Sequence, residues 1–496
     1  MGCQMNERDS ETIAGLLEQA GYVPLPEKPT GAPLSIGAGG GARDADVTVV
    51  NTCSVRENAD NRFFGLLGQL KHIKERRPNA VIAVCGCMMQ QDEVTRRIRE
   101  KHPWVDLVFG THNIHELPEL LQESQARYRC AAESGSKGVC PSGTAPAPLI
   151  RTKEKRDGIE EGLPAARAHE FKAYVNIMYG CNNFCTYCIV PYTRGREMSR
   201  APEAILGEAE ALAKAGTKEI TLLGQNVNSY RGISESHRDG STGTFANVPV
   251  EPSPWPAETD FPELLRRIDA TPGLARIRFM TSHPKDLSDR LIALFARGED
   301  GRPAAGGLAK LCPAIHLPAQ AGSTRVLARM NRGYTKEDYL ELVRKLREAN
   351  PQIVITTDII AGFPGETDDD FEETMDLIER ARFDAAFTFL YSPRPGTPAA
   401  NYADRVPEAV MHARFGRMVE RLNAISLEKN RLYIGRTEEV LVEGPAKTGA
   451  GRLAGRTFGG KLVNFSIVDF GSDPAVRLLP VRITDANTFS LAGRAE

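Results

Sequence analysis

Between residues 172 and 390 the chain switches six times from a short apolar run to a helical stretch. The runs are KAYVNIM (172–178), KEITLL (218–223), ARIRFM (275–280), CPAIHL (312–317), QIVITTDI (352–359) and DAAFTFL (384–390). Runs this short and this rich in Val, Ile and Phe read as buried strands. Strand followed by helix, repeated, demands a parallel sheet, because parallel neighbours need a crossover of helical length. Six units predict a partial barrel, (β/α)6, rather than a closed barrel of eight, with chemistry at the C-terminal ends of its strands. In SRAPEAILGEAEALAKAG, Pro202 marks a helix start and Gly216 its stop.

Either side of this array the pattern changes. Residues 1–125 alternate more loosely. ETIAGLLEQAG (11–21) predicts an amphipathic helix. DVTVVNTC (46–53), AVIAVCGC (80–87) and VDLVFG (105–110) predict strands, with helices near 57–76 and 91–101. This is a second parallel α/β domain. The loop at 28–44 reads as a flexible insertion, and 126–166 as a linker in which Cys130 and Cys140 are idle thiols. The array spans 167–429 with a Ser/Gly/Pro-rich insertion at 231–258 and a smaller one at 299–309. Residues 430–496 hold short strands parted by Gly and Asp, which predicts a small OB-like β-barrel. The fold class is therefore α/β, with a β-barrel module at the C-terminal end.

With 496 residues and a net charge of -2, the chain exceeds one core and shows no global signal of a nucleic-acid partner. No apolar run reaches the roughly 18 residues a membrane helix needs, and the start is not a signal peptide; no membrane association and a cytoplasmic location are expected. Ten cysteines are too few for a disulfide scaffold of this length.

Three cysteines stand in GCNNFCTYC (180–188), directly after the first strand of the array: Cys181, Cys185 and Cys188. Tetrahedral zinc needs a fourth ligand, and the next Cys or His downstream is His237, inside the insertion. A cubane does not: three thiolates hold three irons and the fourth iron stays open. Tyr187 suits an aromatic packed over such a cluster. The alternatives are buried thiols or a degenerate zinc knuckle. Other strand ends converge on the same rim. LLGQNVNSY offers Gly224, Gln225, Asn226 and Asn228. HLPAQAGST offers Gln320 and Ser323. DIIAGFPGET offers Gly362 and Gly365 in a tight turn, and YSPRPGTPA follows the sixth strand.

A second thiol set shares one address. Cys53 and Cys87 follow the first two strands of the N-terminal domain, and Cys3 precedes its first helix. Ligands of open α/β sheets bind beyond the carboxyl ends of strands, and converging soft thiolates suit iron–sulfur binding. Simple burial is the competing reading, and the one preferred for Cys85 and Cys312.

The C-x3-C-x2-C loop after a first strand resembles the radical S-adenosylmethionine enzymes. MGCQMNERDSE, NTCSVRE, CGCMMQ, YVNIMYGCNNFCTYCIVPYTRGREMSR and FTFLYSPRPGTPAA further resemble the methylthiotransferases over nearly the whole chain. That resemblance implies two [4Fe-4S] clusters. One, on Cys181, Cys185 and Cys188, has its open iron chelated by S-adenosyl-L-methionine, which is cleaved to a 5′-deoxyadenosyl radical. Gly224, Gln225, Asn226, Gln320, Ser323 and Gly362 would bind that cofactor. An auxiliary cluster would sit on Cys3, Cys53 and Cys87, with Cys85 a rival pointing to the same side of its strand. The family carries a strand before its first cysteine, where this chain begins at Met1; a weaker hold on the auxiliary cluster is expected.

GCQMN, NTCSVRE and PYTRGRE favour the branch that adds a methylthio group at C2 of N6-isopentenyladenosine (N6-dimethylallyladenosine), tRNA position 37. A sibling acts on threonylcarbamoyladenosine in tRNA, another on a ribosomal protein aspartate. A non-enzymatic RNA-binding protein with a structural cluster is the reading from a different class. The resemblance implies partners: the tRNA anticodon stem-loop, an external electron donor of flavodoxin or ferredoxin type, and a sulfur source, the chain itself being a monomer. The C-terminal barrel resembles a TRAM domain, whose Arg452, Arg456, Lys461 and Phe458 are candidates for RNA contact, with Phe465 assigned to the core. Arg194, Arg196 and Arg200 are candidates for the anticodon stem or S-adenosylmethionine.

Overall fold

In the N-terminal sheet the strand VIAVCG is buried at every position, as a strand covered on both faces must be. It lies at the centre of a parallel sheet in a computed structural model of the chain, which describes residues 3–25, 44–53, 57–133, 147–154, 156, 158–234, 256–447, 451–466 and 478–496. Most of the insertions expected at 28–44 and 231–258, and Cys140, fall outside these. The chain divides into two compact units. The first comprises Met1–Ala168, Tyr179–Asn182 and Cys188–Met198; the second comprises His169–Met178, Asn183–Tyr187 and Ser199–Glu496.

The first unit runs α1 (Gln4–Gln19), β1 (Val47–Thr52), α2 (Glu57–Arg76), β2 (Val81–Gly86), α3 (Asp92–Lys101), β3 (Leu107–Phe109), α4 (Leu117–Glu133) and β4 (Leu149–Arg151). The sheet order β1-β2-β3-β4 is parallel throughout, with Val47 opposite Val81 and Thr52 opposite Gly86. Two differences from expectation have physical causes. Helix α1 starts seven residues before the predicted 11–21, because its first turns bury polar side chains (Asn6, Arg8 and Asp9) and so hide the apolar period. The stretch 126–166 is not merely a linker, since α4 runs into it and Leu149–Arg151 pairs with β3.

Asp106, fully buried just before β3, accepts from the Ile82 amide at 2.6 Å and pairs with Lys74 at 2.8 Å. One carboxylate thus ties the end of α2 to the sheet. Burial lowers the Lys74 pKa, and Asp106 opposes that.

The second unit contains the six expected strands: β5 (Lys172–Asn176), β6 (Glu219–Leu223), β7 (Arg276–Phe279), β8 (Ala314–His316), β9 (Val354–Ala361) and β10 (Ala385–Leu390). They pair in parallel as β5-β6-β7 and β8-β9-β10, and a parallel bridge from Ile277 to Leu311 joins the two halves. The result is the open six-stranded array that the alternation predicts. Its helices are α5 (Pro202–Lys214), α6 (Phe261–Asp269), α7 (Asp289–Ala293), α8 (Thr324–Arg329), α9 (Lys336–Ala349), α10 (Asp368–Ala381) and α11 (Glu408–Arg431). Capping boxes at Thr335/Asp338 and Thr367/Asp370 start α9 and α10. The described ends of the large insertion are zipped together, with Ile233 opposite Glu258.

The C-terminal strands β11 (Thr437–Pro445), β12 (Leu453–Thr457), β13 (Leu462–Ser466), β14 (Leu478–Ala486) and β15 (Leu491–Ala495) close into a barrel in the order β11-β12-β13-β15-β14. Val440, Val463, Phe465 and Val481 fill it. Within the unit, buried Arg276 donates to the carbonyls of Arg456 (2.9 Å) and Glu439 (2.8 Å), fixing the barrel on β7. Among the described residues no helix is long and apolar enough to cross a membrane.

Candidate functional site

In the first unit, the strand ends set the thiols. Cys53 follows β1 and Cys87 follows β2, and both are buried. Gly86, between β2 and Cys87, has φ 107° and ψ -175°, a region that side-chain-bearing residues avoid. A Cβ there would lie 2.0 Å from the Thr52 carbonyl oxygen. Only glycine lets the chain turn off the strand against β1, and Cys87 begins a tight 3-10 turn. Cys85 is wholly buried against Ile13, Leu16 and Phe109, and burial pushes its thiol well up. It belongs to the core.

Cys3 is the half-buried N-cap of α1. Asn6 holds that helix end to β1, donating to Asn51 Oδ1 (2.6 Å) and to the Thr52 carbonyl (3.1 Å). The Cys3 thiol is brought down to about 6, chiefly by a hydrogen bond from Cys53, against burial and with help from the Arg194 charge. Burial pushes Cys87 up despite Arg194, whose Nε lies 3.0 Å from its sulfur. The end of β3 completes the rim. His112 is buried with neither ring nitrogen hydrogen-bonded, and burial beside Arg156 and Arg194 takes its pKa down to about 4.

In the cysteine loop, the segment around Cys181 belongs to the first unit. Gly180 has φ 73°, and a Cβ there would strike the Arg196 carbonyl at 2.0 Å. The Cys181 amide donates to the Gly195 carbonyl (3.1 Å), and Asn182 and Glu197 exchange amide-to-side-chain bonds at 3.3 and 3.2 Å. Cys188 precedes the short helix Val190–Thr193.

The segment around Cys185 belongs to the second unit. Phe184 sits at φ 46°, and the Asn331 amide grips the Asn183 and Phe184 carbonyls at 3.0 and 3.2 Å. Thr186 bonds the Met330 and Arg329 carbonyls. Buried Arg332 approaches the Cys185 sulfur (3.4 Å) and the Tyr187 hydroxyl (3.5 Å) while donating to the Pro318 carbonyl (2.9 Å).

The remaining candidates divide. Gly224 is required by packing, since a Cβ would meet Met178 at 2.5 Å. Asn226 is buried and pinned, accepting from the His283 amide (3.1 Å) and donating to Asp286 (2.7 Å). Ser323 caps α8 and donates to Asp370 at 2.5 Å. Gly362, at φ 76°, faces Met411 and donates to the Glu366 carboxylate (3.3 Å). Gln320 is strained at φ 68°, its backbone bonded to Asp358 and Ile360. Gln225 is half-buried beyond β6.

Thr281 is likewise strained at φ 70°, beyond β7. Non-glycine strain thus recurs at successive strand ends, after β7 and after β8. Sequence reasoning missed His283 at these strand ends. Its Nδ1 accepts from the Lys285 amide (3.3 Å), its Nε2 is buried without a partner, and burial beside Arg332 and Lys285 takes its pKa down to about 2.

Several RNA expectations are corrected. Arg194 is buried against Asp9 and Cys87, and Arg200 is buried on Glu208 (2.7 Å) and the Asn176 carbonyl (2.7 Å); neither is open to RNA. Lys461 is buried and paired with Asp384 at 3.2 Å. Phe458 lies half-buried under Arg276, while Phe465 is core, as expected. Arg196, Arg452 and Arg456 are exposed. Phe489, in the turn before β15, is 79% exposed and carried no signal beyond its place between turn residues.

Among the described residues no three His, Cys, Asp or Glu side chains gather around a point as one metal ion would require. A cubane spreads its thiolates over separate irons, so thiols spaced around a strand-end rim fit it. Acidified Cys3 beside Cys53, with an arginine on Cys87, is the donor chemistry such a cluster needs.

Three family models match: the Radical SAM superfamily over residues 175–378, the Uncharacterized protein family UPF0004 over 1–110 and the TRAM domain over 431–495. Curated relatives match along the full length. The tRNA-2-methylthio-N(6)-dimethylallyladenosine synthase of Alkaliphilus oremlandii is 47% identical over 99% of this chain and 90% of its own. Its namesakes in Clostridium botulinum (strain Okra / Type B1) and Desulforamulus reducens are each 46% identical over 99% of this chain, and over 95% and 93% of theirs. Among solved structures, the radical S-adenosylmethionine methyltransferase TsrM from Kitasatospora setae is 15% identical, covering 82% of this chain and 80% of its own, with a TM-score of 0.39, too distant to carry a residue across. On the strength of its full-length relatives, the chain belongs to the radical S-adenosylmethionine family of tRNA-2-methylthio-N(6)-dimethylallyladenosine synthases.

Proposed function

We propose that this chain converts N6-(dimethylallyl)adenosine at tRNA position 37 to its 2-methylthio derivative. The observation that carries the reading is full-length identity of 46–47% to relatives that share one printed name. Cys181, Cys185 and Cys188 would hold one [4Fe-4S] cluster, and Cys3, Cys53 and Cys87 the auxiliary one. When bound, the first cluster with S-adenosyl-L-methionine supplies a 5′-deoxyadenosyl radical for removal of hydrogen from C2 of the adenine.

The chain's own residues supply position. Arg332, held by Pro318, donates toward the Cys185 sulfur and keeps Tyr187 beside it. Backbone groups at 224–226, 320–323 and 362 line the strand ends where S-adenosylmethionine would lie. The Asn226 and Ser323 side chains are themselves held internally, by Asp286 and Asp370. His283 stays neutral at physiological pH and offers an Nε2–H donor there.

On the RNA side, exposed Arg452, Arg456 and Phe489 suit phosphate contact and base stacking. An electron donor of flavodoxin or ferredoxin type, a sulfur source, a monomeric state and a cytoplasmic location complete the proposal. Nucleoside analysis of tRNA from a strain lacking the chain tests it. The expected result is loss of the 2-methylthio group with the dimethylallyl group retained; an unchanged nucleoside profile overturns it.

A further inference from the structure

Asp9, Arg194 and Cys87 make a buried series of contacts within the first unit. Arg194 Nη2 lies 2.7 Å from Asp9 Oδ2, and its Nε lies 3.0 Å from Cys87 Sγ. All three side chains are buried. A guanidinium taken out of water is held only by the charges and acceptors that face it. Here those are a carboxylate on α1 and sulfur at the end of β2, with the Cys3 thiol also within its field.

The guanidinium is planar and its donors are fixed in a fork, so fixing one edge on Asp9 aims the other. The aimed edge meets sulfur. Arg194 also lies six residues beyond Cys188. Through it, the segment that follows the three-cysteine loop is fastened to the strand-end thiols.

We infer that Arg194, oriented by Asp9, is a positioning residue for the auxiliary cluster: it donates its Nε–H to the Cys87 sulfur and offsets the negative charge of the thiolate set. The inference rests on the assignment of Cys87 as an iron ligand. Hydrogen bonds to cluster sulfur and nearby fixed charge are the protein's levers on reduction potential. Reduction adds an electron, so a positive neighbour favours the reduced form. Removing Arg194 lowers the midpoint, and removing the Asp9 charge raises it. Opposite shifts from the two halves of one ion pair are a signature that loosened packing does not produce.

The test uses the full chain with Cys181, Cys185 and Cys188 changed to alanine, leaving the auxiliary site alone, reconstituted with iron and sulfide. The parent should carry about four irons. In a potentiometric titration followed by electron paramagnetic resonance, Arg194→Gln is expected below the parent, Arg194→Lys between the two, and Asp9→Asn above. A parent that binds no cluster overturns the ligand assignment, and the inference falls with it. A parent that binds while both Arg194 variants share its midpoint overturns the inference alone. If neither Arg194 variant retains iron, Asp9→Asn decides: a raised midpoint supports the inference, and an unchanged one overturns it.

Discussion

Gly86→Ala is the perturbation that joins backbone to chemistry most closely. Gly86 sits at φ 107° and ψ -175°. A side-chain-bearing residue held in such a region costs about 1–3 kcal/mol. The new Cβ would also lie 2.0 Å from the Thr52 carbonyl oxygen, and that neighbour is backbone in the paired strand β1, unable to swing aside. Overpacking of this kind costs about 1–3 kcal/mol more. The two effects sum to roughly 2–6 kcal/mol, a large share of the roughly 5–15 kcal/mol a domain has in all. Relief can come only by parting β1 from β2 or by unwinding the turn at Cys87. Either moves Cys87 relative to Cys53. Two measurements read this: hydrogen exchange of the β1 and β2 amides, and iron bound per chain with Cys181, Cys185 and Cys188 replaced by alanine. We expect faster exchange confined to those strands and loss of most auxiliary iron. Exchange and iron both at parental values would refute the reasoning.

Other expectations follow from single residues. Asp106→Ala leaves Lys74 without its carboxylate and the Ile82 amide without its acceptor, so it should destabilise the first unit by about 3–5 kcal/mol, read by urea denaturation, whereas Lys74→Met should cost less. His283 has its pKa lowered to about 2, so the unfolded chain binds the extra proton below its ordinary value near 6.5. Stability should be full above about pH 7 and fall on acidification by up to about 1.4 kcal/mol per pH unit, and His283→Asn should flatten melting temperature against pH between about 4 and 6.5; identical profiles would remove this contribution. Phe489→Ala should weaken tRNA binding by about 1–3 kcal/mol with no change in melting temperature, and binding by the parent chain should fall with salt at a log–log slope near -0.7 per phosphate contact on single-stranded RNA.

The six strands and the barrel were legible because their residues obey the periods of their own elements. Val354–Ala361 reads VITTDIIA, β-branched at six of its eight positions, as a largely buried strand favours. Helix α1 was half concealed for the opposite reason. Its first turns carry Asn6, Arg8 and Asp9 inward, and periodicity cannot distinguish a polar residue that serves the interior from one facing water. Arg194 and Lys461 misled in the same way: each is a cation whose carboxylate partner is distant in sequence, at Asp9 and Asp384, while Arg200 is taken by Glu208 eight residues on. Cys87 was distinguishable from Cys85 only through Gly86, whose turn depends on how closely Thr52 approaches across the sheet. His112 and His283 gave no signal, because isolation of a ring nitrogen is a property of its surroundings.

The proposed reaction needs one open iron at the Cys181, Cys185 and Cys188 loop. Full-length protein with Cys3, Cys53 and Cys87 changed to alanine, reconstituted and reduced without oxygen, isolates that cluster. Its electron paramagnetic resonance spectrum should change when S-adenosyl-L-methionine is added, and 5′-deoxyadenosine should accumulate. A spectrum indifferent to S-adenosyl-L-methionine, with no 5′-deoxyadenosine formed, would contradict the account.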